Sequence, residues 1–164
     1  MALSQARKNF IALHKADVIS ATDGTGIFPS VKMAQMIIES SDNTGQPGNG
    51  ITARKAKNYF GIKANSSWKG EKMAFNTPKD GQPVNYFRVY PTAKDSVIDH
   101  TRFLQSNPRY TKGGVFEAKS PAGQALAIQN SGYAEGAGYA AMLVKIIVDY
   151  NLEELDKEQI KKKS

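Results

Sequence analysis

The stretch SVKMAQMIIESSDNTG, Ser30 to Gly45, decides how the rest of the chain is read. Val31, Met33, Ala34, Met36, Ile37 and Ile38 cover most of a helical circumference, which places this helix at the centre of a fold. Pro29 precedes it, where a missing N–H does no harm, and Gly45, Pro47, Gly48 and Gly50 stop any helix soon afterwards. Only one strip is polar: Lys32, Gln35 and Glu39 recur at i, i+3 and i+7. Glu39 therefore ends a core helix beside a glycine-rich loop. The negative end of the helix dipole and partial desolvation both favour its neutral form, which is what a general acid requires. Against this stands the commoner state of such a residue, a solvated acid or the partner of a base such as Lys32.

Working outward, residues 4 to 20 read as a helix and ITARKAKN as a short third one. Between residues 60 and 90 the segments YFGIKA, KMAFNT and VNYFRVY are short, β-prone and separated by turn formers, which predicts a small antiparallel sheet or ribbon. Helical spacing returns after Pro91. Val97, Thr101 and Leu104 share a face, Ser120 precedes Pro121 as an N-cap, and Leu143, Ile146, Ile147 and Tyr150 form a core stripe. The fold class is α+β, mostly α. Residues 1–152 form the domain, and 153–164 read as a charged, frayed or weakly helical tail.

At 164 residues the chain fits one domain with a sizeable core. The absence of Cys excludes disulfides, thiolate metal sites and cysteine nucleophiles. Its net charge of +7 belongs wholly to residues 1–150, because the tail holds four acids and four bases. Such a surface attracts polyanions, whether nucleic acid, an anionic membrane surface or an acidic cell-wall polymer, and charge alone does not choose among them. Without a basic recognition helix or an RNA-binding aromatic signature, no nucleic-acid partner is expected. The start MALSQARKNFIALHKADVISA is too broken by charges for a signal peptide or a membrane span, so no membrane insertion is expected and the export route stays open. His14 and His100 lack metal-ligand spacing and are expected to be structural, with no metal.

AQMIIESS, AKNYFGIKANSSWKG, FRVY, FLQSNPRY and GYAEGAGYAAML, in that order, resemble the autolysin-type glucosaminidase family of peptidoglycan hydrolases, which includes flagellum-associated wall hydrolases and phage lysins. The resemblance runs from about Phe28 to Leu152. It implies a lysozyme-like fold, a helical lobe and a small antiparallel β lobe with a cleft between them. The implied activity is endo-β-N-acetylglucosaminidase cleavage of peptidoglycan glycan strands, without a cofactor, by a monomer acting on the cell wall in the periplasm or outside the cell. The family's catalytic Glu falls on Glu39 and its functional Tyr on Tyr133. Asn58, Tyr59, Trp68, Tyr110 and Tyr139 lie in the motif segments and are expected to bind substrate, Asn58 through an N-acetyl group and the aromatics through the apolar faces of sugar rings. Asn58 also reads as an ordinary cap, and Trp68 as packing on the β lobe.

Two departures stand out. Where the family follows its acid with Ser-Gly-Trp-Gly, this chain has ESSDNTG, and where many members carry Thr-x-Glu in the β lobe it has NTPKDG, with Lys79 at the Glu position. Asp80 is the nearest acid and is assigned as the second catalytic carboxylate, although an Asp-Gly pair also explains itself as a turn. Asp42 and Glu71 are alternates. The acid that follows the family's Tyr is displaced here to Glu135. Two other readings remain: a wall-binding protein that has lost hydrolysis, and a lysozyme or lytic transglycosylase acting on the muramic acid linkage.

Overall fold

A buried polypeptide needs every backbone group satisfied, and the central helix shows how this chain achieves that. The computed structural model describes residues 2–76 and 78–163. Its elements are α1 (Gln5–Thr22), α2 (Pro29–Ser40), α3 (Ile51–Ala56), β1 (Lys72–Ala74), β2 (Tyr86–Arg88), α4 (Ala93–Ser106), α5 (Pro108–Lys112), a 3-10 turn (Val115–Glu117), α6 (Pro121–Asn130), α7 (Tyr139–Asp149) and α8 (Glu153–Lys161). In α2 every residue from 29 to 37 is buried, Lys32 and Gln35 included. The polar strip is an internal seam and not a solvated edge.

Around α2 pack α1, α6, α7 and α8, with α4 against α1. Val18 and Ile19 of α1, Val97 and Leu104 of α4, Ile128 of α6, and Leu143, Ile146 and Ile147 of α7 join the α2 side chains in one core. The β lobe is slight. β1 pairs antiparallel with β2, Met73 opposite Phe87, and the YFGIKA segment, expected as a strand, contributes only the isolated bridge Lys63–Phe87. Asn58 ties this lobe to the helices: its amide nitrogen donates to the carbonyls of Ile62 (2.9 Å) and Arg88 (3.0 Å), and its Oδ1 accepts from Ile62 N (3.0 Å). Thr77, which begins the stretch compared with Thr-x-Glu, lies outside the described residues.

Of the frayed or weakly helical tail, the helix forms, and what is corrected is its separation from the domain. Leu155 of α8 is buried, and Gln159 donates to the carbonyl of Ile19 (2.8 Å) and to Thr22 Oγ1 (3.0 Å). The N-cap of α2, Phe28, has no side chain that can take a helix N–H. The Asp156 carboxylate takes its place: Ser30 N donates to Oδ1 (2.8 Å) and Ser30 Oγ to Oδ2 (2.7 Å). This is a cap supplied from far along the chain, with negative charge at the positive end of the α2 dipole. Replacing a side-chain cap typically destabilises by about 1–2 kcal/mol, so Asp156→Ala should lower the urea unfolding free energy by that amount. An unchanged midpoint and slope would show that α8 does not cap α2.

Candidate active site

Glu39 reaches the end of α2 with the last carbonyls of the helix already occupied. Ser40 Oγ donates back to Met36 O (2.5 Å) and Ser41 Oγ to Ile37 O (2.6 Å). The following loop folds against this end, with Gly48 N donating to Ser40 Oγ and Gly50 N to Ser40 O. A Cβ on Gly50 would stand 2.9 Å from Ser40 O, so only glycine closes the loop here. Asp42 is the loop's hub. It accepts from Thr44 N, Thr44 Oγ1, Gln46 N and Asn49 Nδ2. The hydrogen bonds from Thr44 and Asn49 hold its carboxyl well below the usual carboxylate range, which suits an anchor and not a proton donor.

Glu39 opens onto a cavity of about 440 Å³ whose wall includes Phe60, His100, Phe103, Arg109, Tyr110 and Tyr133. Among the described residues lining it, Glu39 is the one carboxylate. Burial pushes its pKa up, opposed by the hydrogen bond that the Tyr139 hydroxyl donates to Oε1 at 3.1 Å. Of the two causes anticipated for this shift, desolvation is the one that acts, and Lys32, the base weighed as a partner for Glu39, is engaged elsewhere. Tyr139 is held by its helix: Gly138, at φ 112°, turns the chain into α7, and Gln129 Oε1 accepts from Gly138 N (3.3 Å) and Ala140 N (2.9 Å) to cap it. Gln35 Nε2 donates to the Tyr139 hydroxyl at 3.2 Å. Tyr133 lies beside it, the two rings stacked with centroids 5.4 Å apart. Burial raises the Tyr133 pKa well above the phenol value, and Tyr139 and Glu39 nearby add to it. Its hydroxyl meets His100 Nε2 at 2.8 Å.

The remaining sequence candidates divide. Tyr110 is fully buried and forms the wall behind Tyr133, its hydroxyl accepting from Arg109 at 2.8 Å. Asn58 is corrected from a substrate group to a structural one, because it is fully buried and its amide is engaged within the β lobe. Tyr59 turns away from the cavity towards α1, against Phe10 and His14 at 6.1 and 5.3 Å between centroids. Trp68 lines a separate depression with Tyr90 and Asp99. The Arg88 guanidinium lies 4.7 Å from its ring, Gly70 packs against its six-membered edge, and its Nε1 donates to Glu71 O, so it braces the β lobe. Asp80 lies exposed in the turn closed by Gln82 N donating to Lys79 O, with Gly81 at φ 80°, and it does not line the Glu39 cavity. Glu71 is likewise exposed and lines the Trp68 depression.

His100 is the site residue that sequence reasoning missed. It stands at i+3 from Val97, on the same buried face of α4, and that position was the available signal. Among the described residues there is no cluster of three or more His, Asp or Glu able to hold a metal, and no helix long and apolar enough to cross a membrane.

A sequence model of the glucosaminidase family, described as mannosyl-glycoprotein endo-β-N-acetylglucosaminidase, matches residues 15–152. The peptidoglycan hydrolase FlgJ of Salmonella typhimurium is 32% identical over 157 residues, covering 88% of this chain and 46% of the relative. The exo-glucosaminidase LytG of Bacillus subtilis is 33% identical over 138 residues, covering 79% and 46%. The chain thus spans about half the length of these relatives. Among solved structures, the catalytic domain of the autolysin Auto from Listeria monocytogenes superposes with a TM-score of 0.74 at 25% identity, covering 95% of this chain and 90% of that one. The glycoside hydrolase domain of Salmonella typhimurium FlgJ gives 0.70 at 27%, covering 95% of each.

The hydrogen bond from Tyr139 favours ionised Glu39. Tyr139→Phe should therefore raise the Glu39 pKa further, read from the carboxyl carbon in an NMR titration. No change, or a fall, would show that this bond does not hold the ionised form.

Proposed function

The chain belongs to the glucosaminidase family of glycoside hydrolases, and from that premise we propose that it hydrolyses peptidoglycan glycan strands at N-acetylglucosaminyl bonds as an endo-β-N-acetylglucosaminidase, with Glu39 as the general acid. The observation that carries the reading is a half-buried Glu39 whose pKa is raised by burial, opening onto a cavity walled by aromatic side chains. Cleavage of a glycosidic bond needs a proton on the leaving oxygen, and a carboxyl group with a raised pKa keeps that proton near neutral pH. Tyr133 presents its phenol to the reacting region, and the ring of Tyr110 supports it from behind. Tyr139 acts on Glu39 itself. The protein works as a monomer on the cell wall, drawn to its anionic polymers by a charge of +7.

Asp80 is the proposed second carboxylate. It lies in the β lobe, within the connection from β1 to β2, and its proposed role is to orient the attacking water. If it does not serve, the substrate's own N-acetyl group supplies the second function. The relatives include proteins named probable N-acetylmuramidase, from Lactococcus lactis, 31% identical over 165 residues, so the bond cleaved is a matter for product analysis.

Digestion of purified cell wall should release new reducing N-acetylglucosamine ends, detected by mass spectrometry. Muramic or anhydromuramic ends would transfer the activity to the other linkage, and retained binding without release would make the protein a wall binder. Glu39→Gln should reduce turnover by at least ~100-fold with the fold intact, and near-normal turnover would end the proposal. Asp80→Asn should slow hydrolysis at least ~10-fold while binding persists. An active Asp80→Asn enzyme assigns its role to the N-acetyl group. Binding to wall should weaken as salt shortens the Debye length below about 8 Å, and salt-independent binding would make the charge incidental.

A further inference from the structure

Lys32 and His100 are buried inside the domain, and the roles proposed so far use neither. Lys32 Nζ lies 2.5 Å from His100 Nδ1, and His100 Nε2 lies 2.8 Å from the Tyr133 hydroxyl. The three groups form a line from the interior of α2, through α4, to the cavity wall. The imidazole has little freedom to turn. It stacks on Phe60 with centroids 3.9 Å apart and planes 3° from parallel, and lies near-parallel to Phe103 at 6.3 Å. Lys32 makes no ion pair among the described residues, and its Nζ stands 5.2 Å from the Phe60 ring centre.

The line has a direction. An ammonium has hydrogens and no lone pair and can only donate to Nδ1; burial lowers the Lys32 pKa well below its usual value, and a neutral amine can donate to Nδ1 or accept from it, so the donating direction is the one adopted and tested below. An imidazole that accepts at Nδ1 and is neutral carries its hydrogen on Nε2. Burial lowers the His100 pKa, with Lys32 adding to the effect, in keeping with a neutral ring. We propose that Lys32 fixes His100 as the Nε2–H tautomer, so that the imidazole donates to the Tyr133 oxygen and leaves the phenolic hydrogen to turn towards the Tyr139 hydroxyl and the cavity beside Glu39. Lys32 and His100 are then positioning residues for Tyr133, and the inference rests on the reading of Tyr133 as a group that meets the glycan.

A second line on the same helix runs in parallel. Gln35 Nε2 donates to the Tyr139 hydroxyl, which donates to Glu39. In both lines a phenol accepts from inside the protein and gives its hydrogen outward. The charged and titratable groups around Tyr133 are Glu39 and Lys32 from α2, His100 from α4, Arg109 and Tyr110 from α5, and Tyr139 from α7. Of these, His100 meets the Tyr133 hydroxyl at 2.8 Å, and the Tyr139 hydroxyl is a second hydrogen-bond partner on the cavity side.

Two measurements test this separately from the function. Long-range proton–nitrogen NMR of the imidazole should show His100 protonated at Nε2 and bare at Nδ1, with the Nδ1–H form gaining population in Lys32→Met. A wild-type protein with Nδ1–H overturns the inference whatever its activity. In kinetics, His100→Phe keeps an aromatic ring on Phe60 but cannot donate, whereas the amide of His100→Gln can donate near the place of Nε2. His100→Phe should lower kcat roughly 10-fold or more with KM little changed, and His100→Gln should recover part of it. In a Tyr133→Phe background neither His100→Phe nor Lys32→Met should reduce kcat further, because both act through the missing hydroxyl. Further loss in that background, or full activity of a folded His100→Phe while Tyr133→Phe is impaired, overturns the positioning role alone. Full activity of Tyr133→Phe overturns the role of Tyr133 and the positioning role with it. Should His100→Phe fail to fold, Lys32→Met, apolar and of similar length, carries the same comparison.

Discussion

An amine buried on a helix that is enclosed on every side constrains the whole domain. Removing a charged or polar group from water without a partner costs several kcal/mol, so Lys32 and Gln35 require partners brought from elsewhere in the chain. His100 of α4 answers Lys32, and Tyr139 at the start of α7 answers Gln35. The glycine-rich segment before α7 then falls between them and presents Tyr133 to the same space. Gln35 Oε1 is left without a protein partner among the described residues, so the packing that places the two phenols satisfies the seam almost completely.

Two acids three positions apart illustrate how environment separates roles. Asp42 gathers four donors and is held ionised, and its work is to shape the loop. Glu39, a turn earlier, loses water to burial and has one donor, so its neutral form is favoured. Residue type is nearly the same in the two, and the number of donors and the degree of burial decide which acid can deliver a proton.

Much of this was legible in the sequence. The apolar girth of α2 and the i, i+3, i+7 spacing of its polar residues located the central helix and singled out Glu39, because helical periodicity is local information. The ordered motifs indicated the two-lobed fold. What failed was direction. Asn58, Tyr59 and Trp68 have suitable side chains and lie in the right segments, but which way each points is set by contacts with Arg88, Phe10 and His14 that local sequence does not encode. The docking of α8 was hidden for the same reason: its charge balance resembles a solvated tail, and Leu155, Asp156 and Gln159 acquire meaning only against α1 and α2. His100 lacked a ligand-like spacing and was set aside, although it stood on the buried face of α4.

The cap on α2 carries a consequence for the order in which the molecule is assembled. Ser30 and its partner Asp156 are 126 positions apart, Gln35 and Tyr139 are 104 apart, and Lys32 and His100 are 68 apart. Chain emerging from a ribosome delivers α2 early and its last partner late, at about 5–20 residues per second, so for roughly six to twenty-five seconds this central helix has no completed surroundings. Closing such wide loops before any contact rewards them slows folding, and a helix with exposed Met and Ile side chains is open to aggregation in that interval. The carboxylate of Asp156 thus closes a circuit through nearly the whole chain, and the helix bearing Glu39 is fully enclosed only after the C-terminal helix has been made.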